Sequence, residues 1–299
     1  MTCPGSPPKI RKDSSLGIVA IIPARFGSSR LPGKPLSDIL GKTLVQRVHE
    51  RARLARLPDR LLVATEDERI AEAVRAFGGE VVMTRASHQT GTDRIAEVAA
   101  SLDANIFVNV QGDEPLLDPL MIDEASAALR EDPLAPMATL AVPFESAEEM
   151  LSPNVVKVVL DRSGNALYFS RAAIPHVRLP RGATPAAHAA EALNRGLALK
   201  HIGVYAYTRE TLLRLTALPV SPLEHAEGLE QLRALENGIK IKVVASRGRG
   251  GPSVDTPEDL EFVRGLIGAG ESRALPLGER TSVPHARAKE EGCTPATSS

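Results

Sequence analysis

The chain has 299 residues, 43% hydrophobic and 24% charged, with a formal net charge of -1. That length and composition suit one large α/β domain or two modest ones around an aliphatic core, and they exclude a disordered or collagen-like chain. Near-neutral charge and 3% aromatic residues, with no Trp, also exclude the electrostatic footprint and stacking platforms of a nucleic-acid binder.

Hydrophobic periodicity is expected to begin at residue 16 and end at residue 267, between disordered tails at 1–15 and 268–299 that fill with Pro, Gly, Ser and charge. Cys3 and Cys293 lie in those tails, so the body has no disulfide, thiolate nucleophile or cysteine zinc site, as suits a reducing cytoplasm. No apolar stretch follows Lys9, Arg11, Lys12 and Asp13, and no apolar run reaches membrane-spanning length. Neither a signal peptide nor membrane insertion is expected.

Residues 18–24 are almost purely apolar, as in a parallel-sheet strand covered on both faces, and a helix over 43–57 should follow. Residues 61–65 predict a second strand. Asp67 starts a helix with Ile70, Val74 and Phe77 on one face, stopped by Gly78-Gly79. A third strand at 81–84, a helix at 92–102 and a buried-type strand at 106–110 complete an alternation that predicts an α/β fold: a mostly parallel sheet flanked by helices. After a strand-like stretch at 137–142 the rhythm changes. Residues 155–160 and 166–170 flank Asp161-Arg162-Ser163-Gly164-Asn165, which predicts a hairpin in an inserted lobe spanning about 150–205. The Ala-, Pro- and Arg-rich residues 179–199 read as a loop, 201–207 as a strand, 222–236 as one helix and 239–244 as a strand. Pro257 suits the first turn of a last helix.

The first strand runs into Pro23-Ala24-Arg25-Phe26-Gly27-Ser28-Ser29-Arg30-Leu31-Pro32-Gly33-Lys34. Small residues there let backbone N–H groups face a ligand, while Arg25, Arg30 and Lys34 supply cations for a polyphosphate. The spacing is not that of a Walker A loop, since Lys34 is followed by Pro35 where Ser or Thr would hold magnesium, and no dinucleotide fingerprint is present. A basic surface turn is the alternative. Asp113 stands just beyond a central strand, at the edge where open α/β sheets place ligands, and its carboxylate suits a magnesium ion that also binds phosphate oxygens. Asp255 is a second candidate metal ligand or, equally on local grounds, an N-cap. The turn His88-Gln89-Thr90-Gly91-Thr92-Asp93-Arg94 offers directed hydrogen bonds for a pyrimidine, although Thr90 or Thr92 also suits a helix N-cap. Arg171, His201, Tyr205, Glu230 and Gln231 together offer a guanidinium for a carboxylate and polar groups for sugar hydroxyls; each alone is equally at home as an ordinary structural residue.

These blocks, with Thr65-Glu66-Asp67-Glu68-Arg69-Ile70, Asn109-Val110-Gln111-Gly112-Asp113-Glu114-Pro115, Pro153-Asn154-Val155-Val156-Lys157, Leu229-Glu230-Gln231-Leu232-Arg233 and Val254-Asp255-Thr256-Pro257, resemble the 3-deoxy-D-manno-octulosonate (Kdo) cytidylyltransferases of bacterial lipopolysaccharide synthesis. The resemblance covers roughly residues 16–267, with Thr90 standing where the family commonly has Ser. It implies a Rossmann-like nucleotidyltransferase fold in which the inserted lobe helps to form a homodimer. It further implies transfer of the cytidylyl group of CTP to Kdo with Mg2+ as cofactor, releasing pyrophosphate in the cytoplasm. On this resemblance Arg30, Lys34 and Asp113 would be catalytic, and Asp113 and Asp255 would hold the metal. Pro23, Ala24, Arg25, Arg30, Lys34, Thr90, Gly91, Arg94 and Gln111 would bind the nucleotide. Gln111, Arg171, His201, Tyr205, Glu230 and Gln231 would bind the sugar acid.

Overall fold

The structure, a computed structural model, describes residues 17–27 and 30–270. Both cysteines, residue 16 and the expected tails lie outside the described residues, except for Gly268, which ends the last helix, and the turn at 269–270 that follows it.

In chain order the elements are β1 (Ile18–Ala24), a 3-10 turn (Lys34–Leu36), a small hairpin of β2 (Asp38–Ile39) and β3 (Lys42–Thr43), α1 (Leu44–Ala52), β4 (Arg60–Thr65), α2 (Glu68–Ala76), β5 (Glu80–Met83), α3 (Gly91–Ser101) and β6 (Ile106–Asn109). There follow α4 (Pro119–Glu131), β7 (Met137–Val142), α5 (Ala147–Leu151), β8 (Lys157–Leu160), β9 (Ala166–Ser170), α6 (Pro185–Asn194), β10 (Leu199–Thr208), α7 (Arg209–Ala217), α8 (Pro222–Glu227), α9 (Gln231–Glu236), β11 (Ile241–Ala245) and α10 (Pro257–Gly268). Most helices start where a short polar side chain accepts an otherwise orphaned N–H, as Thr43, Asp67, Thr90, Asp118 and Thr256 do.

The main sheet runs in the order β11-β7-β10-β6-β1-β4-β5. Strands β1, β4, β5 and β6 are mutually parallel, as are β7 and β11, while β10 lies antiparallel between β6 and β7. The β8-β9 hairpin joins this sheet through β10, where Leu199 and Lys200 pair with Val158 and Lys157. Alternate residues of β1 feed two cores. Ala20 and Ile22 belong to the core that includes Val48 of α1, Val74 of α2, Met121 of α4 and Val263 of α10, whereas Val19 and Ile21 belong to the one that includes Ile95 of α3 and Leu212 of α7. Burial on both faces is why β1 reads as an unbroken apolar run; each buried Ile or Val contributes about 1.5–3 kcal/mol.

Several boundaries differ from the sequence expectation. The helix expected over 43–57 ends at Ala52. The helix expected over 222–236 is broken by Gly228, whose φ of 61° is a left-handed C-cap that separates α8 from α9. Residues 179–199 are not simply a loop: α6 forms after the cap Thr184 and buries Ala189 and Ala192 against Met150 and Val177. Helices α4, α5 and α7 lie where no helix was expected, although Asp118, Ser146 and Thr208 are N-caps.

Candidate active site

The loop after β1 folds back on itself. Gly33 N–H donates to the Phe26 carbonyl at 3.1 Å, and Gly33 has a φ of 69°, where any Cβ would also sit 3.2 Å from the Phe26 ring. Glycine is therefore favoured there by its left-handed backbone, and a side chain would also crowd the Phe26 ring. The Arg69 guanidinium lies over the Phe26 ring, 3.4 Å from its centroid, and Phe26 N–H donates to Glu66 Oε1 at 3.3 Å. The loop is thus braced by the residues that follow β4.

Its cations meet two carboxylates from remote parts of the chain. Lys34 Nζ lies 2.9 Å from Asp113 Oδ2 and 3.1 Å from Asp255 Oδ1, and Arg30 Nη2 lies 3.1 Å from the same Asp255 oxygen. Two backbone features bring the carboxylates together. Gly112 lets the turn after β6 approach the end of β1 so closely that a Cβ would stand 2.8 Å from the Pro23 carbonyl. Val254 N–H donates to the Asp113 carbonyl at 2.8 Å, which delivers Asp255 next door. Asp255 is not the cap of α10; Thr256 takes that role in a capping box with Asp259. Neighbouring Glu114 is partly buried, and desolvation reinforced by the charge of Asp113 pushes its carboxyl up to about 8.

The donor chemistry fits magnesium. Two hard carboxylates already converge on one positive charge, and no group of three or more His, Cys, Asp or Glu among the described residues would enclose an ion without outside help. Magnesium commonly takes one or two carboxylates and completes its shell with water and substrate phosphates.

The turn before α3 backs onto the same loop, since a Cβ on Gly91 would lie 3.1 Å from the Pro23 ring. Thr90 caps α3 in a box with Asp93, so the local N-cap reading holds, and its hydroxyl also lies 3.3 Å from Glu230 Oε1. Arg94 is turned inward, 3% exposed, with Nη2 at 2.6 Å from Glu66 Oε2 and Nη1 donating to the Thr84 hydroxyl. Burial lowers its pKa. Gln111 Nε2 donates to the Gly203 carbonyl at 3.0 Å, linking the turn after β6 to the antiparallel strand β10.

On β10, His201 Nε2 lies 3.0 Å from the Thr139 hydroxyl, its ring edge-on to Phe169 and 5.4 Å from Tyr205. Burial pushes the His201 imidazole down to about 3 and the Tyr205 phenol well up. Glu230 accepts from Thr92 Oγ1 at 2.9 Å, and burial raises its pKa against that bond. Gln231 is 5% exposed. Arg171 Nε donates to the Glu227 carbonyl at 2.8 Å and Nη1 to the Pro153 carbonyl at 3.1 Å.

Direct contact therefore joins Arg30, Lys34, Asp113 and Asp255 into one cluster, Pro23 with Gly91, Thr90 with Glu230, and His201 with Tyr205. Arg25 is exposed and stands apart from these contacts, as does Arg171. Residue-by-residue reading misses Glu66 and Glu227. Glu66 carries a usable signal, since it follows β4 at the same carboxyl edge of the sheet; Glu227 shows none until the helix break at Gly228 is known. A cavity of about 310 Å3 in the inserted lobe, lined by Met150, Pro175, His176 and His188 among others, does not include these residues.

Comparison with known proteins shows the family. A cytidylyltransferase family model matches residues 19–241. A 3-deoxy-manno-octulosonate cytidylyltransferase of Syntrophotalea carbinolica is 57% identical over 245 residues, covering 82% of this chain and 96% of the relative. One of Geobacter metallireducens is 54% identical over 246 residues, covering 82% and 96%. A solved CMP:2-keto-3-deoxy-manno-octonic acid synthetase complexed with CTP superposes with a TM-score of 0.76 at 45% identity, covering 85% of this chain and 99% of that one. A cytidylyltransferase of Leptospira borgpetersenii, at 18% identity and a TM-score of 0.56 over 85% of this chain and 87% of its own, shares the fold.

Proposed function

Because the chain belongs to the 3-deoxy-manno-octulosonate cytidylyltransferase family, we propose that it transfers the cytidylyl group of CTP to the anomeric hydroxyl of Kdo, giving CMP-Kdo and pyrophosphate for lipopolysaccharide synthesis. The observation that carries the geometry of this reading is the convergence of Lys34, Asp113 and Asp255 beside a loop shaped for phosphate. In the reaction the sugar hydroxyl oxygen forms a bond to the α-phosphorus of CTP, the bond from that phosphorus to the β-phosphate bridge breaks, and the hydroxyl proton is lost to solvent.

Arg30 and Lys34 lie where cations can take up the charge that grows on the leaving pyrophosphate, and their preorganisation lowers the barrier without reorganisation at the moment of reaction. Asp113 and Asp255 would hold magnesium, which supplies charge neutralisation and polarisation of phosphoryl oxygens when bound. Pro23, Ala24, Thr90, Gly91 and Gln111 line the approach to the nucleotide. Arg25 adds an exposed cation at the loop entrance, and Arg94 supports the loop from below through Glu66. Arg171, His201, Tyr205, Glu230 and Gln231 form the sugar side, with His201 neutral at ordinary pH and therefore a hydrogen-bonding group rather than a charge. A homodimer built through the inserted lobe and a cytoplasmic location belong to the same proposal. Among the described residues no helix is long and apolar enough to cross a membrane.

Incubating the protein with magnesium, CTP and Kdo while monitoring pyrophosphate tests the reading. Release should require both substrates and fall sharply when UTP replaces CTP or a sialic acid replaces Kdo. Equal rates with a sialic acid, or no release with Kdo, would overturn it. Light scattering of the eluting protein tests the dimer separately.

A further inference from the structure

Arg171 is held at four points. Its N–H donates to Glu227 Oε2 at 2.8 Å, its carbonyl accepts from Lys157 Nζ, its Nε donates to the Glu227 carbonyl, and its Nη1 donates to the Pro153 carbonyl. Glu227 thus grips Arg171 twice, once through its carboxylate and once through its backbone. The carboxylate is itself fixed by the Ser170 hydroxyl at 2.6 Å. The carbonyl is available because Gly228 ends α8 in the left-handed conformation, so the last turn does not carry its hydrogen bonds forward.

Lys157 completes the arrangement. It is fully buried, and its ammonium donates to the carbonyls of Ser152, Val155 and Arg171, which spends all three of its donors. The guanidinium of Arg171 hydrogen-bonds only neutral carbonyl oxygens, and among the described residues it forms no ion pair. Its orientation is set while its charge, offset only in part by the nearby Glu227 carboxylate, is left to meet an anion. A fork held in this way loses little freedom when it meets a carboxylate, and that is where preorganisation adds to affinity.

We propose that Glu227 is a positioning residue that, together with the Gly228 break, sets Arg171 as the arm for the carboxylate of the sugar acid. The assignment rests on the functional reading above and deepens it by fixing which side of the site selects an acidic sugar. Glu227 acts through Arg171, so its loss should affect the sugar and spare the nucleotide.

Initial-rate kinetics of the full chain, with CTP and Kdo varied in turn, provide the test. Glu227→Ala should raise the KM for Kdo at least about tenfold and leave the KM for CTP within about twofold. Glu227→Gln retains an acceptor for the Arg171 N–H and can donate to Ser170 Oγ, so it should stay within about threefold of the parent. In an Arg171→Lys background, Glu227→Ala should add less than about twofold, because the arm it positions is already gone. A Kdo KM for Glu227→Ala equal to the parent value, a parallel rise in both KM values, or full additivity with Arg171→Lys would overturn the assignment. If Glu227→Ala does not fold, Lys157→Met tests the same arm from the opposite side, with the same split between substrates expected. A parent protein inactive on CTP and Kdo refutes the functional reading; an active parent with unaffected variants refutes only the role of Glu227.

Discussion

Glu66 offers the sharpest test of how the loop after β1 is held. One of its oxygens accepts from Phe26 N–H in the phosphate loop and the other faces Arg94 at 2.6 Å. Glu66→Gln can keep the first bond but places an amide donor or a neutral oxygen where the charge was. Arg94 is 3% exposed, so removing its contacting counter-charge leaves a buried cation compensated only by the weaker pull of Glu97; losing one partner of a buried pair typically costs about 3–5 kcal/mol. The Thr84 hydroxyl remains bound to Arg94, which favours the lower end, about 3 kcal/mol. For a domain of this size that corresponds to a fall in melting temperature of about 6–12 °C. Urea denaturation of Glu66→Gln, Arg94→Met and the double variant measures the coupling. The double variant should recover at least half of the loss in Glu66→Gln, because removing both charges also removes the desolvation problem. A loss below about 1 kcal/mol in Glu66→Gln, or a double variant at the sum of the two singles, would refute the reasoning.

Asp113→Asn should lower the turnover rate by about a hundredfold or more at saturating magnesium while CTP affinity changes by less than about threefold, since charge at the reacting phosphate matters most in the transition state; near-normal turnover would sink the assignment. Leu40 sits at the tip of the β2-β3 hairpin with a φ of 53° and is 52% exposed, so Leu40→Asn should raise stability by about 1 kcal/mol, read as a higher melting temperature, and an unchanged or lower value would count against the strain. His201 has its folded pKa depressed to about 3 from an ordinary value of 6.5. The unfolded chain therefore binds the extra proton between those values, and the contribution of His201 is complete above 6.5 and is lost as pH falls through that window, by about 2 kcal/mol at pH 5. Stability of His201→Gln should fall less steeply than that of the parent between pH 7 and pH 5, and identical slopes would refute the role of burial.

How much of this was legible in the chain depends on whether the signal was local. β1 could be read because burial on both faces leaves an uninterrupted apolar run, and α2 because Ile70 and Val74 share one buried face. Arg30, Lys34 and Asp113 could be nominated because each follows a readable strand or its loop. The Asp255 ambiguity could not be resolved locally. It took the hydrogen bond from Val254 to Asp113 and the capping box of Thr256 to separate a carboxylate facing Lys34 from an N-cap. The inward turn of Arg94 was also hidden, because its partner Glu66 comes from a different βα unit.

The features least visible in the sequence are those that build the proposed sugar side. β10 runs against its neighbours, and this reversal carries His201 and Gly203 past the end of β6, so that the Gly203 carbonyl meets Gln111 above the carboxyl edge. A parallel strand with the same residues would have placed them elsewhere along the edge. The break at Gly228 works in the same way. An unbroken helix over 222–236 would keep the Glu227 carbonyl inside its own ladder, whereas the break turns it to Arg171 and lets Glu230 reach Thr90 and Thr92. Regular βα rhythm thus positions the residues proposed to face the phosphates, and two departures from it position the groups proposed to face the sugar. Substitutions that restore regularity at Gly228 should therefore cost sugar recognition before they cost the fold.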